Sequence, residues 1–516
     1  MTGGGILVLV AYGSQNVLLS GNPQMTYYYK IFKRYSHFSM ENVTIALDGP
    51  NQLVFDQTIQ LRAKIQRVGD LLSDIYFSFQ IPDIYSQFLP ARGANQSEFQ
   101  WARFLGAALI NKAEFRVGGQ KIQEFDGTYL MAKAMLEYDT DAFQKWQILV
   151  GDVPGLNNPA LGPYAGGITQ TGYPNVVEDP TQVAARGSQL NRQSIVGQDI
   201  HVPLNFWFTD ATSQALPLVG IQYQDCEVYL TLNPINTLYT VLDVSGYRVA
   251  PGYVMSSSTA NISNNIPEYS KTTSAQDNIN NFLVDIGYTI PALNTWFLNP
   301  RLQCTFVYLA EDERNVFASK PLSYVLPQVM YIPNDNITQR TTFDIDLHNP
   351  LTRLIMIPRR SDWIYRNDIS NFTNWYTYPF APFNLTDSAF QYLWGKMSGR
   401  LILNSQKDII RALRIICDGN EIQEEKPTDF FTKINPFRYT SGFTQAELPF
   451  YTWALTSSKI QPSGSLNASR IRSLQVEVDF WPLPANTTYN YSLAMYAESI
   501  NFFVVASGNG GLKYAL

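Results

Sequence analysis

At 516 residues and 58.4 kDa, the chain exceeds one ordinary compact domain and points to two or three, each able to bury a core. Thirty-seven basic against 43 acidic side chains leave a net charge of −6, so no global positive field draws nucleic acid and no specific nucleic-acid binding is expected. Charged residues at 16% and aromatics at 14% disfavour coiled coil and disorder and favour β-rich structure with large contact surfaces.

The chain opens with a Gly-rich start and a short apolar run at residues 6–11, with no basic segment before it. It is far shorter than the roughly 20 residues of a membrane span, so neither signal peptide nor transmembrane helix is expected. Residues 1–25 read as an N-terminal arm, too small for a core of its own. Lys30, Lys33, Arg34 and His37 then lie among aromatics. They read as strand residues alternating between core and surface, against contact with an acidic partner or lipid headgroups on an inner face.

From there, short Val-, Ile-, Tyr- and Phe-rich segments separated by Gly, Pro, Asn and Asp predict strands at 57–65, 72–81, 221–232, 302–309, 354–357 and 474–480. An Ala-, Met- and Leu-rich stretch predicts a helix over 127–137, and a charged start followed by Pro321 predicts a helical connector at 313–325. Three stretches, 154–198, 234–290 and 361–400, are rich in Asn, Ser, Thr, Gly, Pro or aromatics and read as long loops. Cys226, Cys304 and Cys417 form no CxxC pair and read as small buried hydrophobes in a chain made in a reducing compartment.

An internal repeat organises these segments. Residues 117–124 (VGGQKIQE) return as 417–424 (CDGNEIQE), each a strand, a tight turn whose residues tolerate positive φ, and a second strand. Three further blocks keep the same order: 76–82 with 353–358, 202–207 and the next strand with 448–453 and its next strand, and 306–311 with 493–498. A tandem duplication follows, with one β-domain over 26–312 and another over 326–516. About eight strand candidates and very unequal loops per half suit a jelly-roll sandwich better than a propeller, with a pair of immunoglobulin-like domains second.

The residues then resemble a known family. Gly3-Gly4-Gly5-Ile6-Leu7, Leu9-Val10-Ala11-Tyr12-Gly13 and Leu19-Ser20-Gly21-Asn22-Pro23-Gln24 are similar to the N-terminal pattern of the double jelly-roll major capsid proteins of large icosahedral double-stranded DNA viruses, of the iridovirus and phycodnavirus type. Further similarities follow in order: Leu216-Pro217-Leu218 before Tyr223, Glu311-Asp312-Glu313-Arg314 before Phe317-Ala318, His348-Asn349-Pro350 before Leu354-Ile355, and Gln461-Pro462-Ser463-Gly464 before Asn467-Ala468-Ser469-Arg470-Ile471. Tyr27-Tyr28-Tyr29-Lys30 and Phe206-Trp207-Phe208-Thr209-Asp210 depart from the usual forms, and no matching motif is placed in the loops at 154–198 and 234–290. The resemblance implies an all-β fold of two tandem eight-stranded jelly rolls. It also implies a non-enzymatic subunit that forms a homotrimer, giving a pseudo-hexameric capsomer in an icosahedral shell. Implied partners are neighbouring capsomers, minor capsid proteins beneath the shell and, through the arm, the inner membrane region. The implied location is the virion, with synthesis and assembly in the host cytoplasm.

No catalytic, cofactor or metal constellation accompanies this. Gly118-Gly119-Gln120-Lys121 lacks Walker A spacing, no GxSxG elbow occurs, and His37, His201 and His348 share no metal-ligand spacing. Gly508-Asn509-Gly510-Gly511 reads as a flexible tail. Nine N-x-S/T sequons occur, of which Asn261, Asn371 and Asn384 in the long loops are the best glycan sites if any are used. The competing functional class is a secreted β-sandwich carbohydrate-binding or glycoside-active protein. Aromatic-rich loops and scattered carboxylates suit it, whereas unpaired cysteines and the expected lack of a signal peptide oppose it.

Overall fold

The structure, a computed structural model, describes residues 3–11, 13–30, 32–85, 99–157, 193–242, 248–255, 269–272, 277–284, 288–374, 408–442, 448–456, 461–483 and 487–514. Sixteen strands form two sandwiches. The first is built from β1 (Phe38–Ala46), β2 (Ile59–Lys64), β3 (Leu71–Gln80), β4 (Ile110–Val117), β5 (Gln120–Phe125), β6 (Asp199–Pro203), β7 (Cys226–Leu232) and β8 (Arg301–Leu309). The second is built from β9 (Leu322–Ile337), β10 (Thr341–Asp344), β11 (Pro350–Arg360), β12 (Ile410–Cys417), β13 (Asn420–Pro427), β14 (Phe450–Thr452), β15 (Leu474–Phe480) and β16 (Tyr491–Ala506).

Strand order is β1-β8-β3-β6 facing β2-β7-β4-β5, and β9-β16-β11-β14 facing β10-β15-β12-β13. Adding eight to each number of the first set yields the second, and each order is that of an antiparallel jelly roll. The strands form because their side chains alternate: Ile59, Leu61 and Ala63 of β2 point inward while Gln60, Arg62 and Lys64 point out. The same alternation buries Leu474, Val476 and Val478 of β15.

All four repeated blocks fall on corresponding strands. Only the β4–β5 and β12–β13 hairpins repeat residue for residue, with Phe115↔Gln123 and Val117↔Gln120 answered by Ile415↔Gln423 and Cys417↔Asn420. Both turns carry two successive positive φ values, Gly118-Gly119 and Asp418-Gly419, as the twist of a two-residue hairpin demands.

Outside the sheets, α3 (Gly127–Glu137) starts where Asp126 accepts a hydrogen bond from the Tyr129 amide at 2.7 Å, and α4 (Thr140–Val150) is capped in the same way by Asp139. The connector helix α5 spans Glu311–Ser319, with Glu311, Asp312 and Glu313 in its first turn, where the helix dipole favours acids. It is shorter than the 313–325 expected, because Pro321 stops it and β9 begins at Leu322. The arm holds α1 (Gly4–Val10) and α2 (Asn16–Ser20).

Three expectations need correction. Residues 32–37 form no strand and are exposed, so the basic-aromatic cluster belongs to the arm, which reaches β1. Gly508 to Gly511 is no loose tail: residues 509–512 form a strand, β17 (Asn509–Leu512), that pairs with β16. The Gly508 carbonyl accepts from the Gln222 and Tyr223 amides of the first sandwich. The stretch 234–290 also holds strands at 239–242, 248–249, 253–255 and 269–271. Most of 154–198 and 361–400 lies outside the described residues.

Strand direction sorts the connections between two ends. The stretches 154–198 (before β6), 234–290 (after β7) and 361–400 (after β11) all leave from one end of the sandwiches. The arm, α5, both tight hairpin turns and the β16–β17 turn lie at the other.

Candidate assembly surfaces

The two sandwiches are joined along a seam with three levels. At the arm end, the edge strand β5 packs on the first half of β9. Gln123 Nε2 donates to the Pro327 carbonyl at 3.1 Å, and Gln328 Nε2 donates to the Ile122 carbonyl at 3.3 Å. Gln123 Oε1 accepts from the Trp207 amide, and the Trp207 ring lies 5.1 Å from Tyr324 and 5.2 Å from Phe503. Leu326, Phe503 and Val505 of the second sandwich belong to the first sandwich's core, because β9 and β16 are 16 residues long and run past their own sandwich.

In the middle, α3 presents polar groups to β11 and β16. Arg353 sits between two carboxylates, with Nη2 donating to Glu137 Oε1 at 2.5 Å and Nε 2.6 Å from Glu498 Oε2. Tyr129 donates to Glu498 Oε1 at 2.6 Å, Tyr496 donates to Asp126 Oδ2 at 2.7 Å, and Lys133 meets Asp210 at 3.1 Å. A cleft of about 440 Å³ opens beside these groups. Burial pushes the Glu137 carboxyl up, opposed by Arg353 and Lys133. Burial pulls the Arg353 guanidinium down, but Glu498 and Glu137 outweigh it and hold it charged. The arrangement sets each buried cation against a carboxylate.

At the loop end, Asn367, in left-handed conformation, donates to the carbonyls of Asn236 and Tyr239 at 2.7 Å each. The Ala250 amide donates to the Tyr365 carbonyl, and the Tyr365 ring stands between Tyr253 and Tyr269. Thus the stretch 234–290 of the first sandwich packs on the start of 361–400 of the second.

The surfaces equivalent to the seam are open on the other side of the chain. Ile122 on β5 is 1% exposed, whereas Ile422 at the same place on β13 is 41% exposed. Likewise the first half of β9 is covered by β5, while Phe38 and Met40 of β1 are exposed. The arm adds Ile6, Leu7, Val8, Leu9, Val10, Val17, Leu18, Met25, Tyr27, Tyr28, Tyr29, Phe32 and Tyr35 to the exposed apolar residues, far more than scattered surface exposure explains.

Of the residues singled out from sequence, His37 lies in the exposed arm, and His201 Nδ1 is 2.7 Å from Ser78 Oγ within the β3–β6 pair. His348 stands apart from both, between β10 and β11. Among the described residues no group of three or more His, Cys, Asp or Glu is placed to hold a metal. Asn371 is buried, with its Oδ1 accepting from the Thr373 amide at 3.0 Å; Asn261 and Asn384 lie outside the described residues. Sequence reasoning missed Arg353, Glu498, Glu137 and Lys133. The available signal was charge inside otherwise apolar strands, as in 351–357 and 493–500.

Residues 26–280 match the family described as major capsid protein N-terminus, and residues 313–511 match large eukaryotic DNA virus major capsid protein. The major capsid protein of Chrysochromulina ericina virus is 21% identical over 99% of this chain and 100% of its own length. That of Paramecium bursaria Chlorella virus 1 is 22% identical over 99% of both. In structure, the chain is similar to a subunit of the quasi-atomic PBCV-1 virus capsid, with TM-score 0.65 and 18% identity over 95% of this chain and 100% of that one. The Faustovirus major capsid protein gives TM-score 0.61 and 13% identity over 96% and 94%. With both halves matched in order and two jelly rolls in place, the chain belongs to the major capsid proteins of large eukaryotic DNA viruses.

Proposed function

We propose that three copies of this chain close into a pseudo-hexagonal capsomer, and that these tiles pave the shell of an icosahedral virion assembled in the host cytoplasm. The role is structural and not catalytic. The observation that carries this reading is the unequal cover of duplicated surfaces: Ile122 is buried against the next sandwich while its counterpart Ile422 is open. Within one chain, β5 of the first sandwich meets β9 of the second. A second copy can supply the missing contact by presenting its exposed β1 to β13, and three such contacts close a ring of six similar sandwiches. The end bearing the long loops would then face outward, and the arm end inward.

Solution mass with negative-stain imaging tests this. The protein should run at three times 58.4 kDa with a hexagonal outline, and Ile422→Asp should yield folded monomers. A wild-type monomer at micromolar concentration refutes the tile.

A further inference from the structure

The cleft beside the seam network draws its walls from both sandwiches of one chain and is complete without a second copy. Tyr129, Lys133 and Glu137 of α3 line it together with Asp210, and Arg353 of β11 and Glu498 of β16 line it from the second sandwich. Its volume of about 440 Å³ lies within the range of about 300–1,000 Å³ typical of small-molecule sites. The hydrogen bonds of the network leave several of these groups unspent. The Arg353 side chain is 2% exposed, yet its Nη1 has no hydrogen-bond partner among the described residues, a costly state for a buried donor. Lys133, with its side chain 7% exposed, carries three donors and meets only Asp210 Oδ1 among the described residues.

Tyr138 also lines the cleft; its hydroxyl accepts from Asn205 Nδ2 at 3.0 Å and, among the described residues, has no acceptor for its own hydrogen. On the acceptor side, Glu137 and Asp210 each use one carboxylate oxygen, Oε1 and Oδ1, and keep the other without a partner among the described residues. Unspent donors and acceptors therefore stand side by side. The charges restrict what can lie between them. Glu137, Glu498 and Asp210 set three carboxylates against two cations, so an anion would add a further like charge. A bare cation would leave the hydrogens of Arg353, Lys133 and Tyr138 without acceptors. An uncharged molecule whose groups both donate and accept meets both demands, and the hydroxyl is such a group. Half-buried Val325, Pro327 and Ile500 add apolar wall, which suits the C–H face of a sugar ring.

We propose that the seam cleft binds a small uncharged sugar, a mono- or disaccharide, whose hydroxyls accept from Arg353 Nη1, Lys133 and Tyr138 and donate to Glu137 and Asp210. Because its walls come from different sandwiches, the bound sugar also ties the two together and stabilises the seam.

The test is saturation-transfer NMR on the full-length protein with glucose, galactose, mannose, maltose and lactose, and with methyl phosphate and ethylammonium as charged probes. Each is used at about 10 mM, far below the concentrations at which sugars stabilise proteins by exclusion from the surface. Saturation should pass to at least one sugar, with a Kd on the order of 1 mM, as expected for so small a ligand. Tyr138→Phe should weaken that sugar roughly fivefold by removing one donor. Ser441→Trp, at an exposed position on the cleft wall, should abolish the signal by filling the opening. Melting curves of both variants are taken alongside; if Ser441→Trp does not fold, natively melting Tyr138→Phe decides. Absence of transfer to every sugar on wild type overturns the proposal, as does a signal unchanged in Tyr138→Phe or surviving in folded Ser441→Trp. Tighter binding of methyl phosphate or ethylammonium than of any sugar overturns it too, by assigning the cleft a charged ligand.

Discussion

Replacing Arg353 with Met removes the guanidinium that both Glu137 and Glu498 face across the seam. Side-chain exposure is 2% for Arg353 and 6% for Glu498, so water can offset little of the loss. Breaking one partner of such a buried pair costs about 3–5 kcal/mol. Lys133 still pulls the Glu137 carboxyl down, which places the expected loss near the lower figure, about 3 kcal/mol. For a cooperative unit the size of one sandwich, at about 2–4 °C per kcal/mol, the melting temperature at pH 7 should fall by roughly 6–12 °C. The pH dependence has a definite sign. Burial already raises the Glu137 carboxyl, and losing Arg353 raises it further above its unfolded value. Its neutral form is then favoured in the fold, a contribution present at low pH and lost as pH rises. The deficit of Arg353→Met should therefore shrink between pH 7 and pH 5, and Glu498→Gln added to it should restore part of the stability at pH 7. Scanning calorimetry at a fixed rate checks both. A fall under about 2 °C at pH 7, or a deficit that grows on acidification, refutes the assignment of the network as the charge balance of the seam.

At the start of α3, Gly127→Ala would place a Cβ 1.8 Å from the Ala107 carbonyl oxygen and 2.7 Å from that of Ile110. Since backbone must move, a loss of about 3 kcal/mol or more is expected, read as a lower melting temperature or failure to purify. Burial pushes the Asp368 carboxyl up to about 6 against the pull of Arg366 and Arg103. Its protonated form thus contributes stability that is complete below about pH 4 and lost as pH rises through about 6. Asp368→Asn should melt above wild type at pH 7.5 and converge with it near pH 4. For the thiols, burial pushes Cys226 and Cys304 up to about 12 each, whereas Cys417 is half-buried. Thiol-reactive dye on the native protein at pH 8 should label Cys417 alone within minutes and the other two only after unfolding.

Much of this fold is legible in the sequence, because duplication writes the same strand twice. The β4–β5 hairpin announces its copy through turn chemistry: two positive φ values admit few residues, so Gly119 and Gly419 stayed aligned while their neighbours drifted. The helix over 127–137 is legible for a similar reason, its composition agreeing with its final state. The arm beyond residue 25 is easily misread because its alternating aromatics and cations mimic an edge strand. Only the lack of any strand beside residues 32–37 separates the two. The C-terminal Gly508-Asn509-Gly510-Gly511 looks loose because its partners, Gln222 and Tyr223, are nearly 300 positions away. The seam is invisible for the same cause. Arg353, Glu137 and Glu498 come from three elements far apart in the chain, and nothing local tells a paired buried charge from a misplaced one.

The sharing of β9 and β16 between two cores also bears on the order in which the molecule can be finished during synthesis. Trp207 emerges from the ribosome roughly 300 residues before the Phe503 ring that covers it, and Val505 of the same core comes later still. The leading half of a nascent chain therefore carries an unsealed apolar face that only the end of translation closes. A chain truncated by a few tens of residues would lose more than its tail: its first sandwich would stay open and prone to clump. Only full-length product would enter the pool of building blocks.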